Sequence, residues 1–138
     1  MSASVSAEEL IEAAKAAAKY SYSPYSQFPV GAALIGDSGT LYKGCNVENI
    51  SYGLTLCAEQ TAIAKAVSSG EQSFSALAIW GSQTPNGSIT PCGACRQILA
   101  EFFSEDTKIY MTNSSDGSIV EKTISELIPD TFNSLHSS

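Results

Sequence analysis

Apolar and polar positions along this chain switch between a helical spacing and short apolar runs. Leu10, Ile11, Ala14, Ala17 and Ala18 recur on one helical face behind Ser6 and Glu9, which fit a capping box, so a helix is expected over residues 7–20. Ser21 to Pro29 is rich in proline, serine and tyrosine and reads as loop. Val30 to Ile35 is a small, unbroken apolar run, the mark of a buried strand; Asp37-Ser38-Gly39 supplies a turn, and Thr40 to Asn46 reads as its antiparallel return. Residues 47–56 read as loop. Ala62, Ile63, Ala66 and Val67 share one face of a helix expected from Ala58 to Val67, with Gly70 as its stop. Ala76 to Trp80 is a third strand, and residues 81–91 form a loop rich in Gly, Pro and Asn. A helix beginning near Cys92 contains Gln97 to Phe103, and Lys108 to Thr112 is a fourth strand. Asn113 to Gly117 holds a turn signal ahead of a short return strand, Ser118 to Thr123. Ser125 to Ile128 is one helical turn stopped at Pro129, and the tail with Ser134, Ser137 and Ser138 is expected to fray.

Helices alternating with apolar strands give an α/β fold class, with helices on both faces of a mixed sheet. In such sheets, sites lie at the carboxyl ends of strands beside helix N-termini. The 138 residues are expected to form a single domain, 1–138, long enough for an ordinary core. A net charge of −7 argues against a nucleic-acid binder, which needs a basic face, and against an anionic membrane as partner. No apolar run approaches the roughly 20 residues of a membrane span, and the first residues lack the basic stretch of a signal peptide. The expected address is cytoplasmic, where the four cysteines stay reduced and serve as metal ligands or catalytic groups more readily than as disulfides.

Three of these cysteines fall at helix starts. Cys57 directly precedes the 58–67 helix, and Cys92 and Cys95 straddle the start of the next one. Helix N-termini carry partial positive charge and favour thiolates, and clustered thiolates suit zinc. Glu59, two residues past Cys57, stands where a carboxylate beside a catalytic metal can act as general base and then general acid. Each element also has a plainer explanation. A Cys-x-x-Cys pair can be redox-active, and a glutamate in a first helical turn can simply complement the dipole. Cys45, in a strand, reads as a buried apolar residue, although it could close a structural four-cysteine site. His136, the single histidine, reads as exposed tail, which leaves a Cys–His nucleophile scheme without its base.

With Cys57-Ala58-Glu59 and Pro91-Cys92-Gly93-Ala94-Cys95-Arg96-Gln97 in place, the chain resembles the zinc-dependent cytidine deaminases of the short, homotetrameric kind. The likeness runs from Tyr22-Ser-Pro-Tyr-Ser26 through Phe28-Pro-Val-Gly-Ala-Ala33 and Gly44-Cys-Asn-Val-Glu-Asn49 to Leu127-Ile-Pro-Asp-Thr-Phe132. It implies a three-layer α/β/α fold with a central mixed five-stranded sheet. It also implies one zinc ion per chain on Cys57, Cys92 and Cys95, with Glu59 as proton shuttle for attack of activated water on C4 of cytidine or deoxycytidine. By the same resemblance Phe28 packs near sugar and base, Asn46 and Glu48 bind the ribose 3′-hydroxyl, and main-chain groups around Ala58 read the pyrimidine edge. Tyr52 and Phe132 correspond to positions that complete a neighbouring subunit's site in a homotetramer. Taken alone, Phe28 and Phe132 would pass for core residues, and Asn46 and Glu48 for turn and surface. Gln60 stands where many family members carry arginine. It can donate hydrogen bonds to thiolate sulfur but brings no charge, so the two helix N-termini and Arg96 are expected to compensate the thiolates. Three other readings share parts of this pattern. They are a deaminase of a cytosine-containing antibiotic of the blasticidin type, a thiol oxidoreductase using Cys92 and Cys95, and a structural zinc module with Cys45 as fourth ligand.

Overall fold

The computed structural model describes residues 5–82, 90–112, 117–130 and 132. The first helix, α1 (Ala7–Ala18), starts with the expected box: Ser6 Oγ accepts from Glu9 N–H at 3.1 Å and Glu9 Oε1 accepts from Ser6 N–H at 3.2 Å. It ends two residues before Tyr20, where Lys19, Tyr20 and Ser21 close tight turns onto Ala16, Ala17 and Ala18. Strands β1 (Val30–Gly36) and β2 (Leu41–Cys45) form the antiparallel hairpin, with Gly36 N–H bonded to Thr40 O at 3.0 Å. Helix α2 (Ala58–Ser68) is stopped at Gly70, whose φ of 97° suits glycine alone.

Strand β3 (Phe74–Gly81) begins two residues before the expected Ala76, because a bulge after Ile35 lets Gly36 pair with Phe74. Helix α3 (Gly93–Phe102) takes Cys92 as its N-cap. Strands β4 (Lys108–Thr112) and β5 (Ile119–Lys122) pair antiparallel, and α4 (Ile124–Leu127) begins one residue early because Glu126 Oε1 caps Thr123 N–H at 2.9 Å. Gln83 to Ile89 of the expected loop, Asn113 to Asp116 of the expected turn, and His136 with the three tail serines lie outside the described residues.

The five strands lie in the order β2-β1-β3-β4-β5, with β3 and β4 parallel and the other neighbours antiparallel. Alternation along β1 divides the molecule into layers. Ala33 faces one side, where it meets Leu10, Ile11 and Ala14 of α1 together with Ala78. Ala32 and Leu34 face the other, where Ala62, Ile63 and Ala66 of α2 pack with Leu99 of α3, and Ile124 and Leu127 of α4. This is the expected three-layer α/β/α arrangement with a central mixed sheet. Because β2 and β3 both run antiparallel to β1, their carboxyl ends emerge along one edge, with Val30 beside Gly81 and Gly31 beside Cys45. The N-termini of α2 and α3 follow from that edge.

Candidate functional site

At that edge the sulfurs of Cys57, Cys92 and Cys95 lie within 4.8 Å of one another, and those of Cys92 and Cys95 are 3.2 Å apart. The first sits at the N-cap of α2, the second at the N-cap of α3 and the third in the first turn of α3. Each helix therefore aims unpaired N–H groups and its positive dipole end at the sulfurs; Cys95 N–H points to Cys92 Sγ at 3.4 Å. The thiol protons are held unequally. Cys95 donates to Cys57, which pulls the Cys57 thiol down to about 7, whereas that same bond, with burial, pushes Cys95 up. A tetrahedral zinc with bonds of about 2.3 Å sets thiolates roughly 3.8 Å apart, inside the range seen here. The donor set therefore fits zinc, and the three thiols are positioned to bind a metal ion. No disulfide joins the four cysteines.

Cys45 does not belong to this group. It is half-buried, and burial pushes its thiol up, as expected of a packing residue. Gln60 takes a role the sequence did not suggest: its carboxamide oxygen accepts from Cys57 N–H at 3.1 Å and fixes the start of α2. Arg96, expected near the thiolates, turns instead to carbonyls, with Nε donating to Pro91 O at 3.0 Å and Nη1 to Leu127 O.

Beside the sulfurs a pocket of about 180 Å³ is walled by Val30 and Ile79, by Asn46, Thr55 and Thr90, and by Ala58 and Glu59. Glu59 is 4% exposed, and burial pushes its carboxyl above the ordinary range, opposed by hydrogen bonds from its own main chain and from Cys95. A basic, water-excluded carboxylate against three thiols is suited to taking and returning protons. Asn46 is nearly saturated: its Oδ1 accepts from Val30 N–H at 3.0 Å and from the Ser21 hydroxyl, and its Nδ2 donates to Phe28 O at 3.0 Å. One amide N–H remains for a ligand.

A second pocket, of about 340 Å³, shares Thr55 with the first and is lined by Tyr25, Ser26, Glu48 and Tyr52. The Glu48 carboxylate is held below its ordinary range by the Ser26 hydroxyl, and then by Ser26 and Tyr25 N–H groups at 3.1 and 3.0 Å. It therefore presents an ionised acceptor. The segment carrying it is tied at its base by reciprocal 2.8 Å bonds between Val47 and Leu56, and Glu48 N–H bonds Tyr22 O at 2.8 Å. Tyr52 lies on a short 3-10 turn, Tyr52–Leu54, and is 75% exposed. Phe28 is half-buried and lines neither pocket, and Phe132 is exposed, with its carbonyl accepting from Gln97 Nε2 at 2.7 Å. Thr55 and Thr90 carried no signal in the sequence, and Tyr25 and Ser26 figured there only within the Tyr22-to-Ser26 stretch of the resemblance, since the place of all four is set by loops folding back over the sheet edge.

Comparison with known proteins agrees with this geometry. Residues 4–112 match the cytidine and deoxycytidylate deaminase zinc-binding region. A cytidine deaminase of Sporosarcina psychrophila is 50% identical over 125 residues, spanning 91% of this chain and 90% of that one. One of Halalkalibacterium halodurans is 48% identical over 124 residues, 89% of this chain and 91% of that one. The crystal structure of a cytidine deaminase from Burkholderia pseudomallei superposes with a TM-score of 0.86 at 43% identity, over 93% of this chain and all of that one. That from Mycobacterium tuberculosis gives 0.80 at 37% identity, over 95% of this chain and 100% of that one. With the family model matched over residues 4–112 and cytidine deaminases 48–50% identical over about nine-tenths of its length, the chain belongs to the cytidine and deoxycytidylate deaminase family.

Proposed function

We propose that this protein is a zinc-dependent hydrolase that converts cytidine and deoxycytidine to uridine and deoxyuridine with release of ammonia, a step of pyrimidine salvage. The observation that carries the proposal is the meeting of three clustered thiols with a buried glutamate on the wall of one small pocket. Bound zinc supplies Lewis-acid activation of a water molecule. Cys57, Cys92 and Cys95 hold the ion, and the two helix N-termini offset their charge. Glu59 accepts one proton from the attacking water and delivers it to ring N3, then takes the second from the new C4 hydroxyl and passes it to the departing amino group, which leaves as ammonia from a C4 carbonyl. Val30 and Ile79 exclude solvent around the base, and main-chain groups at Ala58 read its edge. In the outer pocket Glu48 accepts from the sugar 3′-hydroxyl while Asn46 offers its remaining N–H.

Phe28 shapes the site from behind, through the carbonyl that orients Asn46. Tyr52 and Phe132 are exposed in the single chain and are assigned to a neighbour's site. Val47, Ile50, Leu54 and Leu56 are exposed on the same segment as Tyr52, an apolar surface suited to a second copy, which supports a homotetramer. No helix among the described residues is long and apolar enough to cross a membrane. We place the protein in the cytoplasm, where its thiols stay reduced, and read 1–138 as one deaminase domain. The test is to incubate metal-replete protein with cytidine or deoxycytidine and measure ammonia. One ammonia per uracil nucleoside is expected, and no ammonia from either would refute the proposal.

A further inference from the structure

Arg96 is the only arginine in the chain, and it contacts no carboxylate among the described residues. It lies in α3 one residue after Cys95. Its Nε donates to the carbonyl of Pro91 at 3.0 Å, and Pro91 is buried and directly precedes Cys92. Its Nη1 donates to the carbonyl of Leu127, the last residue of α4. Both acceptors need such a partner. A buried carbonyl without one is costly, and the closing carbonyls of a helix have none inside it. The adjoining residue, Gln97, donates from Nε2 to the carbonyl of Phe132 at 2.7 Å. Between Leu127 and Phe132 the chain passes Asp130 with φ 54°. Two consecutive side chains of the metal-binding helix thus grip both ends of one bent C-terminal segment, and the first of them also grips the main chain ahead of a metal ligand.

We propose that Arg96 is a positioning residue that locks the Cys92 end of the metal site to the C-terminal segment carrying Phe132, so that thiol geometry and substrate closure are set together. The inference rests on the deaminase reading for the role of Phe132, but its hold on Cys92 does not depend on which substrate is used. A planar guanidinium places two separate nitrogens on two carbonyls at once, whereas the single nitrogen of lysine cannot occupy both positions. Groups that orient metal ligands commonly change metal affinity or activity about 10–100-fold when removed.

The test compares wild type, Arg96→Lys and Gln97→Ala, each loaded with Co²⁺ as a spectroscopic probe. For Arg96→Lys the expected results are altered thiolate-to-cobalt absorption, loss of metal to a chelator at least about tenfold faster, and a raised KM for cytidine. For Gln97→Ala the expected result is a raised KM with the cobalt spectrum unchanged, because only the Phe132 grip is lost. An Arg96→Lys protein with reduced melting temperature but wild-type cobalt spectrum and metal release would overturn the proposal and leave Arg96 a structural cap. An unchanged KM in Gln97→Ala would overturn the C-terminal half. If wild type itself leaves cytidine untouched, the deaminase reading fails, while the cobalt spectrum and release rate still decide the hold on Cys92.

Discussion

Cys45 and Cys57 are both half-buried thiols in the same small protein, yet their protons are held in opposite senses. Burial alone acts on Cys45 and raises it. Cys57 receives a hydrogen bond from Cys95 at the start of a helix, and its thiol falls to about 7. The metal should therefore depend on Cys57, Cys92 and Cys95 and be indifferent to Cys45. Elemental analysis of the purified variants should find about one zinc per chain in Cys45→Ala and almost none in alanine variants of the other three. Loss of zinc from Cys45→Ala would instead mean a closed four-cysteine site. The three thiols and Glu59 were legible in the sequence because their meaning is local: each stands at a fixed offset from a helix start. The role of Gln60 as acceptor for Cys57 N–H, and that of Arg96 on two carbonyls, were not legible. Residue type names what a side chain can bond, and the fold decides which partner comes within reach.

The helix that carries Cys57 and Glu59 is seated by a glycine on the neighbouring strand. A Cβ at Gly44 would come within 2.4 Å of Thr61 Oγ1, 2.5 Å of Ala62 N and 2.6 Å of Ala58 O. The last two are α2 backbone and cannot move without the helix. The Thr61 hydroxyl, 2.9 Å from both Cys45 O and Ala58 O, pins the first turn of α2 to the end of β2 at the same place. Gly44→Ala should lower unfolding free energy in urea by about 1–3 kcal/mol, the usual cost of overpacking, and should lower turnover as well because Glu59 moves with the helix. Unchanged stability would show that α2 does not need this close approach. At this scale the pattern of apolar positions identified the five strands and four α-helices of the described residues, read the 3-10 turn Tyr52–Leu54 as loop, and otherwise failed at element ends. Strand β3 reaches back to Phe74 through a bulge, and α1 stops at Ala18 by tight turns; both are settled by long-range pairing or local hydrogen bonds that periodicity does not carry.

As a whole the molecule is two cores on one sheet, with its site at the edge where β2 and β3 end and the exposed Val47, Ile50, Tyr52, Leu54 and Leu56 on the segment that follows β2 there. Ile50, at 78% exposure, and Tyr52 lie on the segment that also carries Glu48. If neighbouring copies complete one another's sites, Ile50→Asp should shift the sedimenting species from tetramer to smaller forms and reduce activity along with it. A wild-type protein fully active as a monomer would show that each site is complete within one chain. The mixed five-stranded sheet was implied by the resemblance and the thiols' place at helix starts by the sequence pattern, whereas the strand order came with the fold. The covering of Glu48 by Tyr25 and Ser26 came only with the fold, since those residues lie on a different loop. The central claim is that Glu59 moves the protons of a hydrolytic deamination at a zinc site. It is tested most directly by the ultraviolet spectrum of cytidine incubated with equal amounts of wild type and Glu59→Gln, with zinc content matched. Wild type should convert cytidine to the uridine spectrum, and the variant, which keeps size and hydrogen bonding but cannot accept and return a proton, should lose at least about 10²-fold in rate if Glu59 has this role. Glu59→Gln retaining more than about a tenth of the wild-type rate, far above what loss of acid–base catalysis allows, would contradict it.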